Sequence, residues 1–330
     1  MTEIKMLTEA DLRRCVDIDA GAIDLIADAF SRLHAGGVRM PPILRLDVPE
    51  HNGEVDVKTA YVPGLDGFAI KMSPGFFDNP KLGLPSVNGL MLLFDATTGL
   101  VRATMFDNGY LTDVRTAAAG GVAARHLAPA KARSAAVLGA GVQARLQMRA
   151  LCLERGIETI HVWARDPAKA ATCARDLAAD LGVAAQAADS AETAVRAADV
   201  IITTTPATAP ILHADWLRPG QHVTAMGSDA EHKNEVAPEV LARADRLVVD
   251  SRTQCERLGE LHHALDTGTV RADSAITELG AITAGAAPGR THADEITFAD
   301  LTGTGVQDTA IALYAQRRAG DAGLGTVIEA

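Results

Sequence analysis

The residues best able to do chemistry begin at a bend. Ala135, Ala136, Val137 and Leu138 read as a buried strand, and the turn Gly139-Ala140-Gly141-Val142-Gln143-Ala144 follows at once. A helix-forming stretch, Arg145 to Glu154, comes next. A Gly-x-Gly-x-x-Ala bend in that setting is a dinucleotide fingerprint. Its first glycine takes a positive φ, its second lets backbone approach a pyrophosphate, and the helix N-terminus aims N–H groups at the anion. Gly139, Gly141, Val142 and Gln143 are therefore expected to hold a nucleotide's diphosphate.

Three further strand ends would complete such a site. Ala164-Arg165-Asp166 follows the second strand, which should end near Trp163. Asp166 would hold the ribose hydroxyls of NAD if the strand runs further, whereas Arg165 would meet the 2′-phosphate of NADP. A strand-end salt bridge is the plainer alternative. Thr203-Thr204-Thr205-Pro206 and Met226-Gly227-Ser228-Asp229 close the next two strands. Small polar residues at the C-terminal ends of parallel strands line the ligand crevice. Asp229 would then be a carboxylate at the nicotinamide end, able to bind a substrate ammonium or move a proton. A helix N-cap before Glu231 is its structural alternative.

The N-terminal part supplies cations in apolar or small-residue surroundings. Lys71 sits in Gly67-Phe68-Ala69-Ile70-Lys71-Met72, Arg115 in Leu111-Thr112-Asp113-Val114-Arg115-Thr116, and Arg45 after Pro41-Pro42-Ile43-Leu44. Such a cation is costly unless paired, and an arginine fork suits a carboxylate. Each of the three fits a salt bridge as well as a ligand.

These residues need elements to position them. Residues 8–36 carry a helical pattern, opened by Thr8 and Asp11 as a capping box and closed by Gly36-Gly37. Residues 40–108 show short β-like runs at 55–62, 67–73, 89–95 and 102–107, with a hairpin signal at Asp66-Gly67. An alanine-rich helix is expected over 112–126. From about 133 the rhythm becomes strand–helix alternation, with strands at 134–138, 158–163, 183–187, 199–204, 221–225 and 246–250. The fold class is thus α/β: a doubly wound Rossmann sheet of parallel strands plus an α+β domain. The segment from Phe298 to Arg318 reads as a final helix, opened by the Gly303-Thr304-Gly305 loop.

Size and charge narrow the function. A chain of 330 residues can hold two domains. Lys and Arg number 31 against 42 Asp and Glu, a net charge of −11 that argues against a nucleic-acid partner. No apolar run reaches the ~18 residues of a membrane span. The first residues lack the apolar core of a signal peptide, so a cytoplasmic protein is expected. Cys15, Cys152, Cys173 and Cys255 are scattered, without metal-ligand spacing, and read as reduced thiols. No metal is expected. His262 and His263 read as surface residues.

Together the pieces resemble the ornithine cyclodeaminase and μ-crystallin family across nearly the whole chain. The marks are Gly83-Leu84-Pro85-Ser86, Leu92-Leu93-Phe94-Asp95, Thr97-Thr98-Gly99 and Leu111-Thr112-Asp113-Val114-Arg115-Thr116-Ala117-Ala118. They continue through the Gly139 turn, Gly227-Ser228-Asp229 with Lys233 and Glu235, and Gly303-Thr304-Gly305-Val306-Gln307-Asp308. The resemblance implies a homodimer and a substrate-binding and dimerisation domain over 1–125 with 305–330. A Rossmann domain over 126–304 would lie between those two segments. It gives Lys71, Arg115 and Arg45 the substrate α-carboxylate, with Ser86 also at the substrate, and makes Lys71 and Asp229 catalytic. Thr112, Thr204, Thr205, Met226, Gly227 and Ser228 join the cofactor set.

Residues 53–64 and 73–80 look more like the ectoine-utilisation and iminosuccinate reductase branch than the ornithine enzymes. The resemblance therefore implies NAD(P)H-dependent reduction of a small 2-imino acid, iminosuccinate first, with NAD(H) ahead of NADP(H). Ornithine cyclodeamination with recycled NAD, and a μ-crystallin-like ketimine reductase or ligand-binding protein, are its rivals.

Overall fold

Alternating apolar positions in the first third of the chain build one sheet. A computed structural model describes residues 3–329. The chain divides into two compact units, the first made of Met1–Asp17, Ala35–Arg115 and Thr304–Ala330. Its seven strands run in the order Thr326–Glu329, Glu3–Thr8, Val101–Phe106, Leu90–Asp95, Gly67–Phe76, Gly53–Ala60, Leu44–Val48. All neighbours pair antiparallel except Glu3–Thr8 with Val101–Phe106. One face carries Ala60, Ala69, Met91, Leu93, Ala103 and Met105, all 0% exposed. The helix Gly305–Asp321 packs on that face. It comes so close that a Cβ on Gly305 would stand 2.4 Å from the Thr59 carbonyl oxygen. Thr309 fastens it there, accepting from the Ala69 N–H at 3.1 Å and donating to the Ala60 carbonyl at 2.8 Å.

The second unit is Ile18–His34 with Thr116–Gly303. Its eight-stranded sheet is parallel throughout, in the order Ile276–Glu278, Arg246–Val249, Thr297–Asp300, His222–Ala225, Val200–Thr203, Ser134–Leu138, Thr159–Trp163, Ala184–Ala187. From Ser134–Leu138 the chain steps outward one way, then crosses to the other side. That reversal defines the doubly wound Rossmann pattern and puts the ligand crevice at the C-terminal ends of the central strands.

Three expectations need correction. The segment read as one helix from Phe298 is a buried strand, Thr297–Asp300, inserted between two earlier strands; the helix starts only at Gly305. Four apolar or small residues do not reveal their periodicity, so the sheet position decides. The helical stretch at 8–36 is two helices, Glu9–Arg13 and Ala20–Ala35. Thr8 and Asp11 do form the capping box, and Asp19 accepts the Ala22 N–H at 2.8 Å to start the second helix. That second helix was expected within the first domain. It packs in the second unit, where Ile23 lies against Gly121 and Ser31 Oγ meets Thr283 Oγ1 at 2.9 Å. Among the described residues, no helix is long and apolar enough to cross a membrane.

Candidate active site

Within the first unit the buried face of the sheet holds a charged cluster. Lys71, on Gly67–Phe76, is 2% exposed, and Arg115, on the helix Tyr110–Leu127, is 5% exposed. Both reach one carboxylate, Asp308, in the first turn of Gly305–Asp321. Lys71 Nζ lies 3.2 Å and Arg115 Nε 3.0 Å from its oxygens. Arg115 Nη1 also donates to Gln307 Oε1 at 2.9 Å. Burial, then the nearby Arg115 charge, pushes the Lys71 ammonium down to about 7, with Asp308 opposing the shift. Burial works against an ionised Asp308, but Arg115 and Lys71 outweigh it and hold the carboxyl below its usual range.

The cluster is short of hydrogen-bond partners. The Asp308 oxygens and Arg115 Nε have ion-pair distances but not hydrogen-bond geometry, and Gln307 Nε2, Thr304 Oγ1 and Thr112 Oγ1 are buried with none. Buried polar atoms are ordinarily satisfied, so a set of orphans marks a place prepared for a polar ligand. Lys58 belongs here too. It is 6% exposed and stands directly opposite Lys71 across the strand pair.

Arg45 does not join them. It lies exposed on the outermost strand Leu44–Val48, two strands away from Lys71, and pairs with Asp47 at 2.9 Å and with Glu54. Cross-strand and same-strand carboxylates satisfy it in solvent. Ser86 is half-buried in a loop, its carbonyl accepting the Phe76 N–H at 2.7 Å.

Within the second unit the glycine turn has the form its sequence requires. Gly139 has φ +131°, and a Cβ there would stand 2.3 Å from Thr204 Oγ1. Gly141 is the N-cap of Val142–Glu154 without a side-chain cap, and a Cβ on it would meet nothing within 4 Å. Arg145 braces the turn from below, donating to the Ala140 and Gly141 carbonyls at 2.8 and 3.1 Å. Uncapped N–H groups over open space fit a diphosphate. Val142 is 59% exposed at this helix start, and Gln143 Oε1 accepts from Gln147 at 3.2 Å.

The second strand ends at Trp163 and does not extend to Asp166. Asp166 is instead the N-cap of Pro167–Leu181, accepting from Ala168 and Lys169 N–H at 2.9 and 3.3 Å, and Arg165 is exposed beside it. Asp229, half-exposed, pairs with Lys233 Nζ at 2.5 Å. No helix begins at Glu231, so the N-cap alternative is withdrawn. His263 is half-buried rather than superficial, its Nε2 within 2.7 Å of the Lys233 carbonyl.

Two buried carboxylates hold the remaining strand ends. Glu235 accepts from Thr203 Oγ1 at 2.7 Å, Thr205 N–H at 2.5 Å, Thr205 Oγ1 at 2.7 Å and Gly227 N–H at 2.8 Å. Glu260 accepts from Ser228 Oγ and from the Glu235 and Val236 N–H groups at 2.8 and 3.1 Å. Burial raises both to about 7, and Glu260 adds to the rise at Glu235. A native carboxyl that binds protons more tightly than the unfolded chain stabilises below the unfolded pKa and loses that contribution as pH climbs through the native one. Stability should therefore fall between pH 4.5 and about 7. Glu235→Gln should remove about 3 kcal/mol of that slope, read by urea unfolding across the window. An unchanged slope would count against the buried pair.

Asp308, Lys58, Glu235 and Glu260 were given no role from sequence. The signal for Asp308 was indirect: buried cations require a buried anion, but nothing local names it.

A model of the Ornithine cyclodeaminase/mu-crystallin family matches residues 2–322. The chain belongs to this family. A Rhizobium meliloti relative named only as a dehydrogenase is 60% identical, with all of both chains covered. The iminosuccinate reductase of Paracoccus denitrificans is 36% identical over 269 residues, 80% of this chain and 82% of that one. Among solved structures, the Thermococcus litoralis Delta(1)-pyrroline-2-carboxylate reductase in complex with NADH and L-proline superposes with a TM-score of 0.93. It is 31% identical and covers 98% of this chain and 99% of its own. Membership of the family accounts for a Rossmann unit and a second, largely antiparallel unit in one chain.

Proposed function

We propose that the chain is an NAD(H)-dependent oxidoreductase that reduces a small 2-imino acid to the amino acid, with iminosuccinate to L-aspartate as the best match. The observation that carries the reading is the buried Lys71–Arg115–Asp308 cluster with its unsatisfied polar atoms. The iminosuccinate reductase and the NADH-bound imine reductase among its relatives support it. NADH, held at the Gly139 turn, supplies hydride chemistry; NADP(H) is the second choice. Lys71 and Arg115 grip the α-carboxylate and fix the imine carbon, which replaces a random encounter by a fixed approach. Ionised Lys71 keeps the imine nitrogen protonated and its carbon electrophilic, with Asp229 as the other candidate for that proton. Overall one imine, one NADH and one proton give one amine and one NAD+. We also propose that two copies of the chain assemble.

Ornithine cyclodeamination is the second reading, favoured by the half-exposed Asp229 carboxylate that would hold a distal ammonium. A panel of 2-oxo acids with ammonia and either reduced nicotinamide separates the two. The proposal expects steady net NADH oxidation with oxaloacetate plus ammonia. Conversion of ornithine to proline with no net NADH consumption, and no turnover of any imine, would replace it.

A further inference from the structure

The two buried carboxylates of the second unit do more than end strands. Glu235, on the strand Asn234–Val236, is 0% exposed and faces four donors on two separate segments. Its Oε1 takes the Thr205 N–H and hydroxyl, and its Oε2 takes the Thr203 hydroxyl and the Gly227 N–H. Glu260, equally buried, accepts the N–H of Glu235 itself, the Val236 N–H and the Ser228 hydroxyl. One carboxylate ties the segments 203–205 and 226–228 together, and the other fixes the first in place.

The pattern specifies a carboxylate rather than an amide. Each oxygen of Glu235 faces one backbone N–H, a group that can only donate. A glutamine would turn its carbonyl to one of them and its NH2 to the other. Stability does not explain the choice. Burial and the Glu260 charge both disfavour ionised Glu235, and apolar residues would close the space without that cost.

The two segments stand at the C-terminal ends of Val200–Thr203 and His222–Ala225. These strands lie on the opposite side of Ser134–Leu138 from Thr159–Trp163. In a doubly wound sheet the adenosine ribose sits by the tip of the second strand and the diphosphate at the glycine turn. The nicotinamide half then runs out over the segments that Glu235 joins. Their spacing is tight: a Cβ on Gly227 would stand 2.1 Å from the Thr205 carbonyl oxygen. Thr204 is tied separately, its N–H donating to the Leu138 carbonyl at 2.9 Å, so the turn side holds without Glu235.

We propose that Glu235, supported by Glu260, is a positioning residue that shapes the nicotinamide end of the cofactor crevice. Its side chain acts through the segments that enclose it. The inference rests on NAD(H) binding at the Gly139 turn and does not depend on which imino acid is reduced.

The test compares NADH with ADP-ribose, which keeps the diphosphate and lacks the nicotinamide, by isothermal titration calorimetry. The wild type should hold NADH at least about tenfold tighter than ADP-ribose. Glu235→Gln should lose most of that margin, the scale of one hydrogen bond to a buried charge, while its Kd for ADP-ribose stays within about threefold. Thr203 is 0% exposed, so it reaches the cofactor only through Glu235. Thr203→Val should cut the margin at least about threefold, and Thr203→Ser, which keeps the hydroxyl, should retain it. General loosening of the fold weakens both ligands alike and leaves their ratio unmoved. A folded Glu235→Gln, checked by thermal melting, that keeps the wild-type margin overturns the proposal, as does a wild type that holds the two ligands equally. Should Glu235→Gln not fold, Thr203→Val decides, and an unchanged margin there overturns it. A wild type that binds neither ligand sinks the cofactor site as well.

Discussion

Lys71→Met is expected to lower kcat/KM for the proposed imine reduction by about 10³-fold, the scale of a lost proton donor and a lost anchor together. The melting temperature should stay within about 4 °C of the wild type. Two terms oppose each other in the fold. The methionine removes a buried ammonium whose desolvation already pulls it down to about 7. It also deprives Asp308 of one cation, but Arg115 remains 3.0 Å away. The wild-type kcat/KM should fall as pH rises past about 7, because the cation proposed to grip the carboxylate loses its proton there. The variant should lack that descending limb. Normal turnover with a large loss of melting temperature would return Lys71 to a purely structural role.

Asp308→Ala acts in the opposite sense. It leaves Lys71 and Arg115 buried on one face without the carboxylate both of them reach. Removing one partner from a buried ion pair typically costs about 3–5 kcal/mol, because the remaining charge is uncompensated. Urea unfolding should show a loss of that size. Adding Lys71→Met should recover part of it, since the two sites share one interaction and their effects do not add. A loss below about 1 kcal/mol for Asp308→Ala would mean that solvent or another group already balances the cations.

What was legible in the sequence was what is local. Strand, glycine bend and helix at 134–154 follow from glycine backbone freedom and apolar runs that need no distant partner. The parallel sheet followed from the alternation of strands and helices. What was not legible depends on residues far apart in the chain. Arg45 reads like Lys71 until the sheet shows that its strand is outermost and that its side chain pairs with Asp47 and Glu54 in solvent. Whether Asp166 or Arg165 stands at the strand tip is left open by the sequence, and the fold ends that strand at Trp163 with Asp166 as the next helix's N-cap. The partnership of Lys71 and Arg115 with Asp308 spans the sequence. Thr297–Asp300 is a strand only because a slot between two others receives it.

That late insertion has a consequence for how the protein is made. During synthesis the ribosome releases seven strands of the parallel sheet before the one that sits among them, and the apolar face of the other sheet before the helix Gly305–Asp321 that covers it. Such long-range closure is slow and leaves sticky surfaces open meanwhile. Nascent chains cut short before Thr297 should therefore be strong chaperone clients and should aggregate when chaperones are scarce.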